Sequence, residues 1–283
     1  MRAMARTLVA FHAHPDDESL LTAGTMAKAA AEGHRVVLVV ATAGELGEAD
    51  ASFGAKGDHD TEGLGATRLA ELARAAEILG VARTEVLGYR DSGSGTTRPP
   101  GPGLCFADAD PDEVAERLAA ILVEENADVL TSYDRNGGYG HPDHLQVHAV
   151  GRRAAERAGT PTLLEATFNR DLLQVGVGMV ASMGYELPPG FTPDTFEAWF
   201  TPAGELTHAV DVTEHLAAKR AAMAAHRSQA TTGARDDAVR TLSLFLSLPD
   251  EWFNMAFATE WYVQPDRKPG EPVADVFAAV AEG

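Results

Sequence analysis

The sequence predicts an α/β fold, in which a Rossmann-like, mostly parallel sheet is flanked by helices and followed by a C-terminal α+β elaboration. The first half of the chain alternates short apolar runs with helical patterns at least four times, which is typical of a parallel sheet with crossover helices. Residues 35–42 contain the run Val-Val-Leu-Val-Val. Such a continuous β-branched run indicates a parallel strand that is covered on both faces.

Local patterns place the individual elements. Leu69, Leu72 and Ala76 recur at helical spacing, and Gly80 follows them as a candidate helix cap. The first half therefore contains predicted strands at 7–11, 35–42, 85–88 and 128–133, and predicted helices at 20–31, 67–79, 112–125 and 145–157. Beyond residue 161 the pattern is less regular, and it predicts strands at 162–168, 206–212 and 256–263 and a helix at 212–226.

No clear linker divides the 283 residues, so we expect a single domain made of three parts. These are an α/β core at 1–160, a variable elaboration at 161–263 and a loose tail at 264–283. Two long glycine-containing loops, 43–65 and 91–109, each follow a predicted strand. Both are expected at the carboxyl edge of the sheet, where open α/β folds bind their ligands.

Composition argues against several classes of function. The chain has 42 acidic and 23 basic residues and a formal net charge of −19, which argues against nucleic acids and anionic membrane surfaces because both attract clustered cations. Cys105 is the single cysteine, so a metal would be held by His, Asp or Glu. No apolar run approaches the ~20 residues of a membrane helix, and no signal-peptide pattern is present. We therefore expect a cytoplasmic protein, and a homo-oligomer is compatible with the sequence.

The first chemically informative segment is 14–18, His-Pro-Asp-Asp-Glu, which lies between the first predicted strand and the first helix. His14 and Asp17, three residues apart across this turn, can reach one metal ion from the same side. Imidazole together with carboxylate suits Zn²⁺ or Fe²⁺ better than Mg²⁺ or Ca²⁺. The adjacent Asp16 remains free to handle a proton.

The second segment is 139–144, Tyr-Gly-His-Pro-Asp-His, which follows the predicted strand 128–133. Because parallel strands end at the same edge of a sheet, the two segments can converge. Two histidines and one aspartate would leave one coordination position open for water, which is typical of a catalytic zinc site. The sequence therefore predicts a catalytic metal centre at this edge.

Each segment taken alone has a simpler interpretation. Asp16 or Asp17 could cap a helix in an ordinary turn, and the pair His141 and His144 could be incidental. Two such segments at equivalent positions of one sheet, each with an extra acidic residue, favour the metal site. His12 carries no comparable pattern and is expected to pack in the sheet or to support the site from behind.

The sequence resembles the PIG-L, or LmbE-like, de-N-acetylases, which are zinc-dependent hydrolases of N-acetylated sugars. The resemblance covers most of the first 150 residues and rests on Ala-His-Pro-Asp-Asp-Glu at 13–18, Glu-Leu-Gly at 45–47, Arg68 and His-Pro-Asp-His at 141–144. Segments 88–93, 133–134 and 137–140 are most similar to the actinobacterial mycothiol branch. That branch includes the deacetylase of the N-acetylglucosaminyl-inositol intermediate and the mycothiol-conjugate amidase.

The resemblance implies a zinc ion and its base. His14, Asp17 and His144 match the zinc ligands of the family, and Asp16 matches its general base. Chemistry supports the same assignment, since zinc can polarise an amide carbonyl and lower the pKa of bound water to about 7. Asp16 would then take the proton of that water.

Five further residues receive roles from the resemblance. His141 matches a histidine that stabilises the oxyanion or protonates the leaving amine, and a protonated ring would do so electrostatically. Tyr139 matches a tyrosine that helps to polarise the carbonyl. Asp143 is expected to orient a histidine, and Arg68 and Asp91 match positions that contact sugar hydroxyls.

We therefore predict a metal-dependent hydrolase that removes acetate from an N-acetylated amino sugar, either a small N-acetylglucosaminyl-type molecule or a glycoconjugate. One alternative is an amidase or N-deacylase that acts on a mycothiol conjugate or a glycosylated secondary metabolite. Segment 20–22, Leu-Leu-Thr, weakens the amidase alternative, because that branch carries a lysine there. The other alternative is a metal-dependent sugar-binding protein, but such a protein has no need of the spare base Asp16 and acid His141.

Overall fold

The computed structural model describes residues 5–47, 61–95, 97–98, 100–182, 193–231 and 241–280. Its centre is a seven-stranded sheet with the order β3-β2-β1-β4-β5-β7-β6. The strands are β1 (Thr7–His12), β2 (Arg35–Thr42), β3 (Arg83–Tyr89), β4 (Val129–Tyr133), β5 (Thr162–Thr167), β6 (His208–Asp211) and β7 (Thr259–Val263). The first five are paired in parallel, and β7 lies antiparallel between β5 and β6. The predicted fold class is confirmed.

The order of the strands creates a switch point at the centre of the sheet. β1 pairs with β2 on one side and with β4 on the other. The chain therefore runs outward from β1 through β2 to β3, and then returns to β4 on the opposite side. In open α/β sheets, ligands bind at the carboxyl ends of the strands where the order reverses in this way. The segments that follow β1 and β4 meet at this point.

The helices cover both faces of the sheet. Those that the sequence predicts differ from the prediction mainly at their ends, whereas the helices at 137–140, 170–182, 193–197, 227–230, 241–247 and 250–257 were not predicted. The predicted helix 20–31 is two helices that meet at Thr22, and a helix at 250–257 occupies the start of the predicted strand 256–263. The helices are α1 (Asp17–Leu21), α2 (Ala23–Ala31), α3 (Thr61–Ile78), α4 (Pro111–Glu124), α5 (Gly137–Gly140), α6 (Pro142–Ala158), α7 (Arg170–Ser182), α8 (Pro193–Glu197), α9 (Leu216–Ala225), α10 (Arg227–Ala230), α11 (Thr241–Ser247) and α12 (Asp250–Phe257).

The core lies on both faces of the central strands. All residues of β1 and β4 are buried, and in β2 only Arg35 is exposed, as the β-branched run predicts. Among the described residues, no helix combines the length and the apolar character that a bilayer crossing requires.

The tail that we expected to be loose instead packs against the core in its apolar part. Val276, Phe277 and Val280 belong to the main buried cluster, and the ring of Phe277 lies 4.4 Å from that of His34. The backbone of Val273 adds a short bridge beside β6. Burial of these apolar side chains holds the segment in place, and this corrects the expectation for residues 273–280.

The described residues include the ends of the loop 43–65 and most of the loop 91–109. Residues 48–60 of the loop 43–65 lie outside the described residues, and α3 begins at Thr61, earlier than predicted. The loop 91–109 folds back beside the end of β3, where the backbone of Arg90 donates to Leu104 and accepts from Phe106. This return brings residues 91–92 to the edge where β1 and β4 end.

Candidate active site

Three histidines from the two predicted segments meet at the switch point. His14 follows β1 directly, and His141 and His144 lie at the start of α6, which follows β4 through the short helix α5. The ring centroids are 4.8 Å apart for His14 and His141, 5.4 Å for His14 and His144, and 5.1 Å for His141 and His144. The carboxyl edge of the parallel sheet thus brings together side chains that are about 130 positions apart in the sequence.

A carboxylate lies between two of these rings. The Oδ2 atom of Asp17 is 3.3 Å from Nδ1 of His14 and 3.4 Å from Nε2 of His144. Donor atoms that bind zinc at about 2.1 Å from tetrahedral corners are about 3.4 Å apart. Burial would raise the pKa of Asp17, but His144 and His14 hold it well below its usual range. The Oδ2 atom of Asp17 therefore lies at the spacing of a shared cation from one nitrogen of His14 and one nitrogen of His144.

The strongest indication that this cluster binds a cation is the Nε2 atom of His144. It is buried and has no hydrogen-bond partner among the described residues, which costs roughly 1–3 kcal/mol unless a ligand engages it. Donor atoms of His14, His141 and His144 also lie within 4.8 Å of one another, as do those of His14, Asp91, His141 and Asp143. The residues fit a divalent cation that accepts nitrogen and oxygen donors.

The other nitrogen of His14 faces a second carboxylate. Nε2 lies 3.0 Å from Oδ2 of Asp143, whose side chain is fully buried and also accepts hydrogen bonds from the backbone N–H and the hydroxyl of Ser92. Burial alone would lower the pKa of His14, but Asp91, Asp143 and Asp17 outweigh it and hold that pKa well above its usual value. The structure thus places Asp143 where it can orient His14.

Asp16 lies beside this cluster and is held by Arg68. Its Oδ1 atom is 3.0 Å from Nη2 of Arg68, a residue of α3. Burial raises the pKa of Asp16 to about 6, although the guanidinium of Arg68 opposes the increase. Asp16 is therefore a carboxylate at neutral pH with a higher proton affinity than an exposed aspartate.

His141 and Tyr139 occupy the more open side of the cluster. The Nδ1 atom of His141 accepts a hydrogen bond from the backbone N–H of Asp143, and burial together with His14 and His144 lowers the pKa of His141 to about 4. These observations favour a neutral ring with its hydrogen on Nε2, in contrast to the protonated ring that we expected. Tyr139 is 47% exposed, and its ring lies 6.2 Å from that of His141.

Comparison with known proteins identifies the family. The model of the PIG-L family, described as GlcNAc-PI de-N-acetylase, matches residues 9–155. A 1D-myo-inositol 2-acetamido-2-deoxy-alpha-D-glucopyranoside deacetylase of Mycobacteroides abscessus is 40% identical over 252 residues, which are 86% of this chain and 88% of that protein. The chain belongs to the PIG-L family. A relative of the same name from Nocardiopsis dassonvillei is 41% identical over 78% of this chain and 83% of its own length. This PIG-L protein is an enzyme of the de-N-acetylase class.

Solved structures share the fold of this PIG-L enzyme. The N,N'-diacetylchitobiose deacetylase of Pyrococcus horikoshii has a TM-score of 0.55 and 22% identity, and the match covers 92% of this chain and 82% of that one. The 4-carboxy-2-hydroxymuconate hydratase of Pseudomonas putida has a TM-score of 0.58 and 19% identity, and the match covers 95% and 100%. Because these names describe different reactions, the fold alone does not decide the chemistry, and the site residues must do so.

The two residues expected to contact sugar hydroxyls are both buried in this PIG-L enzyme. Arg68 and Asp91 are each 3% exposed. Arg68 donates to the carbonyl oxygens of Gly44 and Pro15 besides facing Asp16. Its Nε atom is buried and has no hydrogen-bond partner among the described residues. Their predicted contacts with sugar stay predictions.

Sequence reasoning expected His12 to pack in the sheet or to support the site from behind, but it assigned no role to Tyr133 and Thr22, which contact the His12 ring. The hydroxyl of Tyr133, at the end of β4, lies 3.0 Å from Nδ1 of His12 and hydrogen-bonds Asp17. The Nε2 atom of His12 in turn lies 2.9 Å from the hydroxyl of Thr22. Burial lowers the pKa of His12 to about 4, so this ring is neutral. The sequence pattern of β4 does not indicate that the hydroxyl of its last residue, Tyr133, would reach Asp17.

Proposed function

We propose that this PIG-L enzyme hydrolyses the acetamide of 1D-myo-inositol 2-acetamido-2-deoxy-α-D-glucopyranoside to acetate and the free amine, with zinc held by His14, Asp17 and His144. The observation that carries the proposal is the buried Nε2 atom of His144, which lacks a hydrogen-bond partner among the described residues and lies 3.4 Å from Asp17. Relatives of this name at 40% and 41% identity support the choice of substrate. The substrate is an uncharged sugar, which is compatible with a net charge of −19.

The contacts of His14 assign its two nitrogens. Because Nε2 lies against the carboxylate of Asp143, its hydrogen is donated there, and Nδ1, which faces Asp17, is the atom that would bind the metal in exchange for its proton. When bound, zinc supplies a Lewis acid for the amide carbonyl and lowers the pKa of a water molecule to about 7. Iron(II) suits the same donors and is the alternative metal.

Asp16 acts as the general base in this proposal. Its pKa of about 6 leaves it ionised at neutral pH and close to the range in which proton transfer is most effective. Arg68 holds Oδ1, so Oδ2 is the atom that receives the proton of the attacking water. The same proton is then available to the leaving amine, which keeps the proton count balanced.

His141 stabilises the developing oxyanion as a neutral donor. With Nδ1 accepting from the backbone N–H of Asp143, the hydrogen on Nε2 points away from that bond and can be donated to the oxygen. Tyr139, half exposed beside it, is placed to add a second donor. A fixed donor of this kind contributes about 10²–10³-fold to the rate of related acyl-transfer reactions.

The C-terminal half contributes to the substrate side of the site. The ring of Trp199, which follows α8, lies 6.2 Å from that of Tyr139. We therefore assign residues 1–160 to the metal-binding core and residues 161–263 to the substrate-side elaboration of one domain. The matches of Arg68 and Asp91 to positions that contact sugar hydroxyls remain part of this proposal. The cytoplasmic location and a homo-oligomer belong to the same proposal.

The test is the release of primary amine from a panel of amides by the zinc-loaded protein. We expect the largest kcat/KM with the N-acetylglucosaminyl-inositol substrate, loss of activity with a chelator, and recovery when zinc is added back. A faster reaction with a mycothiol-conjugate amide or a glycosylated metabolite would replace the proposed substrate. Metal-dependent sugar binding without turnover would indicate a binding protein.

The variant Asp16→Asn tests the assignment of Asp16 as the general base, because it keeps the shape of the side chain and removes its basicity. We expect an unchanged zinc content and a kcat that is about 10²–10⁴-fold lower. Near-complete activity in this variant would contradict the assignment of the base.

A further inference from the structure

The backbone of Asp16 is held in an unusual conformation. Its φ angle is +112°, in the region that non-glycine residues rarely adopt. Such a residue is strained and persists only when its surroundings fix it. The position of the base that the proposed function requires therefore depends on the contacts of the backbone at residue 16.

Glu18 supplies one of those contacts. Its Oε2 atom accepts a hydrogen bond of 2.9 Å from the backbone N–H of Asp16, and its side chain is fully buried. Ser19 accounts for the other side of the same residue, since its N–H and its hydroxyl both donate to the carbonyl oxygen of Asp16. The carboxylate of Glu18 thus helps to hold the strained turn in place.

The second oxygen of Glu18 is held from the other half of the chain. Oε1 lies 2.5 Å from Nε2 of His226, the residue between α9 and α10. Both side chains are 0% exposed. A buried carboxylate needs such a partner to remain fixed and ionised. A continuous set of contacts therefore runs from His226 through Glu18 to the backbone of Asp16.

Other buried bridges join the same two halves without contacting this turn. Tyr262 of β7 donates to the hydroxyl of Thr25 over 2.7 Å. Glu260 of the same strand accepts from the backbone N–H groups of Gly24 and Thr25. These bonds tie β7 to α2, and neither partner in α2 lies in the segment 14–18. A variant that removes one of these bonds therefore tests the effect of weaker contact between the two halves on the rate, without a change in the contacts of Asp16.

We propose that His226 is a positioning residue for the reaction, and that it acts through Glu18 to keep the carboxylate of Asp16 in its productive place. This inference rests on the proposed function, in which Asp16 is the base. Among the described residues, the side chain of His226 makes its hydrogen bond with Glu18 and none with His14, Asp17 or His144. Its loss should therefore lower the rate of the chemical step and leave binding of the metal and the sugar largely unchanged.

The test compares His226→Asn with His226→Gln. The amide of glutamine reaches the place of the imidazole Nε2, whereas that of asparagine reaches only the place of Nδ1. We expect H226Q to keep kcat within about threefold of the wild type, and H226N to lose about 10- to 100-fold in kcat, as misplacement by about 1 Å does in other enzymes. KM and zinc content should change by less than about twofold. Tyr262→Phe, which removes one buried bond between the halves, should keep kcat.

A double-mutant cycle decides whether His226 acts through Glu18. In the Glu18→Ala background, H226N should lower kcat no further. If H226N folds poorly, the single variant E18A provides an independent test. It removes the same contact, so it should lower kcat and leave KM unchanged. The inference is overturned if H226N and H226Q have the same kcat, if the loss follows the zinc content, or if it persists undiminished in E18A.

The two proposals fail in distinguishable ways. If the wild type releases no amine from any acetylated sugar, the proposed function is wrong. If the wild type is active, Asp16→Asn is inactive and H226N matches the wild type, only the positioning role is wrong.

Discussion

The guanidinium of Arg68 lies 3.0 Å from the carboxylate of Asp16 and joins α3 to the turn that follows β1. The same guanidinium donates to the carbonyl oxygens of Pro15 and Gly44. Arg68 therefore both shapes the turn and places a positive charge beside the proposed base.

This contact predicts a change in the pH profile. Arg68 opposes the increase that burial causes in the pKa of Asp16, so its removal should raise that pKa further above 6. Because the base works as the carboxylate, the rising limb of log(kcat/KM) against pH should move to higher pH in Arg68→Gln. Arg68→Lys keeps the charge and should move the limb less. Identical profiles for the two variants would show that the charge does not act on the base.

The buried carboxylate of Asp143 predicts a change in metal affinity. It holds Nε2 of His14, and loss of such an outer partner typically costs 10–100-fold in metal affinity. We expect Asp143→Asn to bind zinc about 10–100-fold more weakly in a competition assay with a chelator. Ser92→Ala removes only one of the contacts that hold Asp143 and should have a smaller effect. Wild-type affinity in Asp143→Asn would exclude the orienting role.

Two glycines of α5 allow a test of how β4 delivers His144. Both Gly137 and Gly140 have positive φ angles, but a Cβ at Gly137 would lie 2.7 Å from the backbone nitrogen of Leu145 and 3.0 Å from Cβ of His144, whereas one at Gly140 meets nothing within 4 Å. Gly137→Ala should therefore displace the start of α6 and reduce the zinc content. Gly140→Ala should carry only the cost of a Cβ at a positive φ angle, about 1–2 kcal/mol. Equal zinc content in the two variants would contradict this account.

His208 predicts an acid-sensitive contribution to stability. Burial and then Arg267 lower its pKa to about 4 in the folded protein, against 6.5 for the unfolded chain. Between these values the unfolded state binds more protons, so the free energy of unfolding falls as the pH decreases from 6.5 to 4. A difference of this size corresponds to about 3 kcal/mol. His208→Asn should lose correspondingly less stability between pH 7 and pH 4 in urea titrations, and an equal loss would argue against the assignment.

The sequence predicted those parts of the site that depend on local pattern and strand order. Residues 14–18 and 139–144 each follow a buried strand, and a parallel sheet brings such segments to one edge. The neutral state of His141 could not be predicted, since it depends on the backbone N–H of Asp143. The contact of His226 with Glu18 joins residues 208 positions apart. No local pattern encodes such a pair, because only packing of the two halves brings the side chains together.

The fold shows the same division. Strands β1 and β2 were evident from apolar runs. The break between α1 and α2 at Thr22, whose hydroxyl contacts His12, is not encoded in the alanine-rich pattern. The sequence shows residues 273–280 as a short apolar stretch at the end of a tail rich in proline and charge, but it does not indicate that Val276 and Phe277 pack on the core.

The most direct test of the central claim is a crystal structure of the zinc-loaded protein with anomalous diffraction measured at the zinc edge. The account predicts one strong peak within about 2.2 Å of His14, Asp17 and His144, with Asp16 beside it but not bound to it. A peak held instead by Asp91, His141 and Asp143, or no peak at this cluster in zinc-replete protein, would contradict it.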